Sequence, residues 1–256
     1  MSNFHRCGVR VTTALAVVAM SIFFCLPTRA ASSNPILVEL FTSEGCSDCP
    51  PADTLLRVLD STQPIPGAQL IVLEEHVDYW DDLGWQDPFS SHVFTVRQNE
   101  YVERLRVTNG PYTPQMVVDG NEAFVGNDRA QAGRALAKAV QVPKLDVQIS
   151  SARVENGKVV AHVETAAVPS TAEVLIAIAL DHAQSQVLRG ENGGRQLEHV
   201  AVVKRLTAVG KAKKGETFSR DVAVPLDHPG QTYRLIAFVQ EAGEGKVLGA
   251  AFIHLQ

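Results

Sequence analysis

Two cysteines separated by two residues, Cys46-Ser47-Asp48-Cys49, are the part of this 256-residue chain best suited to chemistry. At this spacing a first thiol can attack a disulfide and the second can release the product. Pro50 and Pro51 follow, and they suit the first turn of a helix, where backbone N–H groups lack partners. Ala52, Leu55, Leu56 and Leu59 then recur at helical spacing. The cysteines therefore fall at a helix N-terminus, whose partial positive charge favours thiolate. In that setting Cys46 attacks and Cys49 resolves. Glu44 and Asp48 bring negative charge to the same place, and like charge opposes ionisation. A structural disulfide, half of a metal site and a redox-inactive pair stay open as other uses. A metal is not expected, because no second cysteine pair completes four ligands. No ATP, nicotinamide or flavin signature is visible, so no cofactor is expected. Gly190-Glu191-Asn192-Gly193-Gly194 reads as a loop, because no strand-to-helix context surrounds it.

The elements that must hold the pair follow from hydrophobic patterning. Residues 36–42 form an apolar run with one acid, Glu39, as a buried strand does. A second run, 70–73, leads into Glu74-Glu75-His76-Val77-Asp78-Tyr79-Trp80, and 81–91 reads as a long loop. Phe94, Gln98, Tyr101 and Leu105 share one helical face, with Gly110 as a stop. Asp119-Gly120 between 115–118 and 122–125 signals a hairpin. Asn127 can cap a last helix with Gly133, Leu136, Ala137 and Val140 facing inward, ended by Pro143. Strand, helix, strand, helix, hairpin, helix implies an α/β layer with parallel and antiparallel pairing. Beyond Pro143, seven runs predict strands: 147–153, 158–165, 174–181, 200–209, 218–224, 233–239 and 247–254. That spacing suggests an all-β sandwich-like domain.

Strand 36–41, the Cys46/Cys49 pair, Thr113-Pro114 before a buried strand and the final helix together resemble the thioredoxin superfamily over residues 34–142. The resemblance implies an α/β thioredoxin-like domain, a mixed sheet with flanking helices, at 31–143. A sandwich-like domain at 144–256 follows it. It also implies that Pro114 is cis and packs beside the cysteines, and that the Thr113 backbone holds an extended substrate chain. Glu39 occupies nearly the place of the buried acid that moves protons in that superfamily, with one extra residue before the first cysteine. Gly45 stands where a tryptophan is usual, and Ser47-Asp48 where Gly-Pro is usual. His76 and Trp80 lie near the carboxyl end of the second strand, where α/β folds bind ligands, and are candidates for a substrate surface. A loop packed down by its aromatics is the other reading of that stretch. The motifs Val38-Glu39-Leu40-Phe41-Thr42-Ser43-Glu44-Gly45-Cys46, Cys49-Pro50-Pro51-Ala52-Asp53 and His76-Val77-Asp78-Tyr79-Trp80-Asp81, with the Gly190 loop and residues 199–205, are similar to a family of bacterial secreted proteins known as domain of unknown function 1223. That similarity implies a thioredoxin-like domain plus a β-rich C-terminal part and brings no substrate. His199, Lys204 and Arg205 could face the first domain or lie on a solvated edge.

Residues 1–30 read as a signal peptide: Arg6 and Arg10, an apolar run at 11–26, and Thr28 and Ala30 before the cut. The run falls short of the ~20 residues of a spanning helix, so no membrane span is expected after cleavage. Its removal takes three arginines and no acid, moving the net charge from -5 to -8. An acidic protein does not fit nucleic acid. Cys7 and Cys25 leave as well, so the remaining pair has only itself to bond in an oxidising compartment. The expectation is a periplasmic or secreted thiol–disulfide oxidoreductase, acting on exported protein substrates or with a redox partner protein. The alternative is an exported binding protein in which Cys46 and Cys49 form a structural disulfide.

Overall fold

The computed structural model describes residues 1–3, 33–226 and 230–255. The expected signal segment, apart from its first three residues, lies outside them, as do Cys7 and Cys25. Among the described residues no helix is long and apolar enough to cross a membrane.

The first half alternates as its patterning predicts: β1 (Asn34–Thr42), α1 (Pro50–Thr62), β2 (Ala68–His76), α2 (His92–Arg104), β3 (Gln115–Val118), β4 (Glu122–Val125) and α3 (Arg129–Ala139). β1 pairs parallel with β2 and antiparallel with β3, and β3 pairs with β4. Asp119 and Gly120 turn the hairpin at φ 51 and 59, the left-handed pair that a two-residue turn requires. The α3 cap is Asp128 rather than Asn127, its carboxylate accepting from Gln131 N at 2.9 Å. The inward face of α3 is Ala132, Ala135, Leu136 and Ala139, not the face through Gly133 and Ala137. An alanine-rich helix gives nearly flat periodicity, so its phase is set by packing.

Among the described residues seven strands follow: β5 (Val147–Glu155), β6 (Lys158–Thr165), β7 (Ala172–Gln186), β8 (Gln196–Ala212), β9 (Phe218–Pro225), β10 (Tyr233–Glu241) and β11 (Val247–Leu255). Four of them extend the first sheet, giving the order β11-β10-β7-β8-β2-β1-β3-β4, while β5, β6 and β9 make a separate sheet. The halves join where β8 runs parallel to β2, at the rung Glu74–Val202. Ser32–Gln256 is accordingly one compact unit.

β7 explains why residues 174–180 are apolar without alternation. Leu175, Ala177 and Ala179 enter the core shared with α1, α2 and β1. Val174, Ile176, Ile178 and Leu180 enter a second core against Val159, Val163 and Val222 of the smaller sheet. Both faces are buried, so both must be apolar.

Alternation along β1 decides what reaches the cysteines. Thr42 faces α1, its hydroxyl donating to Asp53 Oδ1 at 2.7 Å. Phe41 faces α2, its ring 6.0 Å from that of Tyr101. Even and odd residues of β1 therefore serve opposite sides of the sheet.

Candidate functional site

After β1 the chain turns through Ser43, Glu44 and Gly45. Gly45 N donates to Ser43 Oγ at 3.0 Å and Cys46 N to Ser43 O at 3.1 Å. Cys49 is the N-cap of α1, with Pro50 inside the first turn and no side chain capping the free N–H groups. Both cysteines are free thiols. The Cys46 Sγ lies 3.8 Å from the Thr113 carbonyl oxygen, and the peptide between Thr113 and Pro114 is cis. Two glycines allow this closeness. A Cβ on Gly126 would come within 2.7 Å of Leu40 and 3.1 Å of Pro114, and a Cβ on Gly45 within 3.1 Å of the Trp80 Cβ. Trp80 thus packs where Gly45 leaves room, and its indole N–H donates to Thr113 Oγ1 at 2.8 Å.

The hydrogen bond with Cys49 brings the Cys46 thiol down from 9.0 to about 7, against the opposing effect of burial. Burial pushes the Cys49 thiol well up. Asp48 acts through its backbone N–H, which lowers Cys46. Glu44 turns its carboxyl inward to Trp85, Ser185 and His199.

Glu39, expected to move protons at the cysteines, is on the other face of the sheet. It is fully buried and receives bonds from Arg97 Nε and Tyr101 OH, each at 2.7 Å. Glu75 lies on the same side, 3.7 Å from Arg97, and burial followed by the neighbouring Glu39 pushes its carboxyl well up. The acid near the pair is Asp53, four residues after Cys49 and on the same helical face. Burial, then repulsion from Glu74, raises it to about 7. The Thr42 hydroxyl that donates to Asp53 also lies beside the Cys49 thiol.

His76, expected on a substrate surface, is fully buried. Its Nδ1 lies 2.7 Å from Asp87 Oδ2, and Nε2 lies 3.5 Å from Glu74 Oε1. His199 of β8 crosses to the same place: Nδ1 is 2.6 Å from Glu74 Oε1 and Nε2 is 3.2 Å from Glu44 Oε1. Burial pulls His76 down, but Asp87 and Glu74 outweigh it and hold it up at about 9. Asp87 itself, raised by burial, is held at about 2 by His76. His199 therefore faces the N-terminal half, while Lys204 stacks on Phe89 at 5.3 Å.

The Gly190 loop completes the enclosure. Asn192 Nδ2 donates to both Glu44 O and Cys46 O at 2.9 Å, and Ser47 N donates to Glu191 at 2.9 Å. Cys46 is only 2% exposed and Cys49 fully buried. Glu44, Asp53, Glu74, Asp87, Asn192 and His199 were not predicted as site residues. The available signal was polar residues inside buried-strand runs: Glu74 and His76 end an apolar strand, where a lone charge needs a partner.

Fold and site define an α/β protein with a cysteine pair at a helix N-terminus, built on a sheet completed by its C-terminal strands. Residues 37–240 match the family described as "Protein of unknown function (DUF1223)", and the chain belongs to that family. It is similar to protein AGR_C_4864 from Agrobacterium tumefaciens, whose crystal structure aligns at 26% identity and TM-score 0.65 over 85% of this chain and 93% of that one. Spo0M, a sporulation control protein from Bacillus subtilis, aligns at 13% identity and TM-score 0.29 over 44% of this chain and 47% of that one. No curated protein matches the chain.

Proposed function

We propose that the chain is an exported thiol–disulfide oxidoreductase with a thioredoxin-like N-terminal half, acting through Cys46 and Cys49 on thiols or disulfides of exported proteins. The single observation that carries this reading is the position of the Cys46 thiol, at the start of α1 and against the Thr113 carbonyl beside Pro114. The leader-like pattern of residues 1–30 supports export.

In the reducing direction the Cys46 thiolate attacks one sulfur of a substrate disulfide. A mixed disulfide forms, and the other substrate sulfur leaves as a thiolate that takes up a proton. Cys49 then gives up its proton and attacks the Cys46 sulfur, releasing the second substrate thiolate. The substrate gains two electrons and two protons, and the protein is left with the Cys46–Cys49 disulfide. A dithiol protein must reduce it for another cycle. With a disulfide partner the same steps run backwards. Asp53, reached from Cys49 through the Thr42 hydroxyl, is the group placed to take the Cys49 proton.

A second reading, an exported binding protein with a structural disulfide, is favoured by the burial of both sulfurs. Reaction of reduced Cys49→Ser protein with a disulfide-bonded peptide separates the two. Exchange activity predicts a mixed disulfide trapped on Cys46, abolished by Cys46→Ala with the fold intact. No trapped adduct, with Cys46→Ala only lowering stability, supports the second reading instead.

A further inference from the structure

Beneath the Ser43–Gly45 turn lies a set of ligand atoms that the cysteine chemistry does not use. Glu74 and His76 stand two residues apart on one face of β2, and His199 arrives from β8. One ligand atom from each lies within 4.8 Å of the other two, and all three residues are buried.

Two features separate this set from an ordinary buried ion-pair cluster. The first is His76 Nε2, which is buried, faces Glu74 Oε1 at 3.5 Å and has no closer polar partner among the described residues. The second is the outer shell. Asp87 holds the other nitrogen of His76 at 2.7 Å, and Glu44 holds Nε2 of His199 at 3.2 Å. A carboxylate on the far nitrogen orients a metal-binding histidine and leaves the near lone pair for the ion. Glu74 is oriented as well, Oε2 accepting from Val200 N at 2.9 Å.

We infer that Glu74, His76 and His199 form a three-ligand site for a divalent transition-metal ion of the zinc class, with the fourth position left to water. Two imidazoles and one carboxylate are a donor set that zinc takes, whereas magnesium and calcium want oxygen alone. A tetrahedral ion ~2.0 Å from each donor spaces them about 3.3 Å apart. Glu74 and His76 already stand 3.5 Å apart. Glu74 and His199, at 2.6 Å, must separate by roughly 0.7 Å to meet that tetrahedral spacing. A surface cleft of about 320 Å³, lined by Arg57, Asp60, Glu198 and His199 among others, offers an entry path that ends on His199. The ion would fasten β2 to β8 beside the rung that joins the two halves of the sheet. This site does not rest on the redox reading and stands or falls separately.

The test uses purified protein stripped with a chelator, then loaded with Zn²⁺ or Co²⁺ and freed of excess metal. The expected result is one equivalent retained by the wild type and by the Cys46→Ser/Cys49→Ser double variant. Co²⁺ should give visible d–d bands without the near-ultraviolet thiolate band. Asp87→Asn should weaken binding about 10- to 100-fold, and His199→Asn should abolish it. No metal retained by the wild type, metal lost with the cysteines, or a thiolate band would each overturn the inference. If His199→Asn does not fold, the wild-type spectrum and the double cysteine variant decide between these outcomes on their own.

Discussion

The Cys46 sulfur and the Thr113 carbonyl oxygen meet at 3.8 Å across 67 residues of chain. That contact puts the thiol at the one place where the α1 N-terminus, the Trp80 indole and the Pro114 backbone converge. Its hydrogen bond with Cys49 holds it near 7 rather than 9.0. A thiolate absorbance titration of the reduced protein should therefore show one group with a midpoint near 7, missing in Cys46→Ser. Because the folded value is the depressed one, its contribution to stability is fully present above about pH 9 and is lost as pH falls through 7. A midpoint near 9 would remove the electrostatic basis of the account.

Asp53 and Glu39 should behave differently. Asp53→Asn removes the proton acceptor behind Thr42, and exchange should slow by about 10²–10⁴, the usual range for a positioned acid or base. The mixed disulfide on Cys46 should accumulate at the same time. Glu39→Gln, on the far face of the sheet, should lower stability while leaving the exchange rate of folded protein intact. Stopped-flow exchange measurements alongside denaturant curves distinguish these outcomes.

Arg97 is the counter-charge for buried Glu39, lies 3.7 Å from Glu75, and also bonds Tyr101 at 2.9 Å and Gln240 at 3.0 Å. Arg97→Met leaves the buried Glu39 carboxylate uncompensated, which costs about 3–5 kcal/mol. Urea unfolding should show a loss of that size. A loss below about 1 kcal/mol, the scale of an exposed ion pair, would contradict the role given to Arg97.

Asn192 bonds two carbonyls of the cysteine turn from the C-terminal half. Asn192→Ala should cost about 1–3 kcal/mol, because both carbonyls lose a buried donor. It should also loosen the cover on Cys46. Alkylation of Cys46 by iodoacetamide is expected to speed up. An unchanged rate would mean that this loop does not control access to the thiol.

Much of this arrangement is local and so was readable along the chain. The Cys46/Cys49 pair, the two prolines and the leucines of α1 lie within a few turns of one another, and Asp119-Gly120 carries its own turn chemistry. Strand alternation also held the information that Glu39 faces away from Thr42, and the four-residue spacing from Cys49 to Asp53 held the other half of that correction. His199 is different. It lies 125 residues from Glu74, with no periodic pattern linking them, and only the pairing of β8 with β2 brings them together. The same pairing explains why residues 144–256 share their main sheet with β1 and β2, which strand patterning alone does not reveal. The phase of α3 was lost for a simpler reason: alanine fits either face.

The reduction potential of the Cys46–Cys49 pair, measured by equilibrating the protein with glutathione or dithiothreitol buffers, tests the central claim most directly. The account predicts a value between roughly -120 and -270 mV, where exchange catalysts lie. A value well below about -300 mV, typical of a structural disulfide, would contradict it.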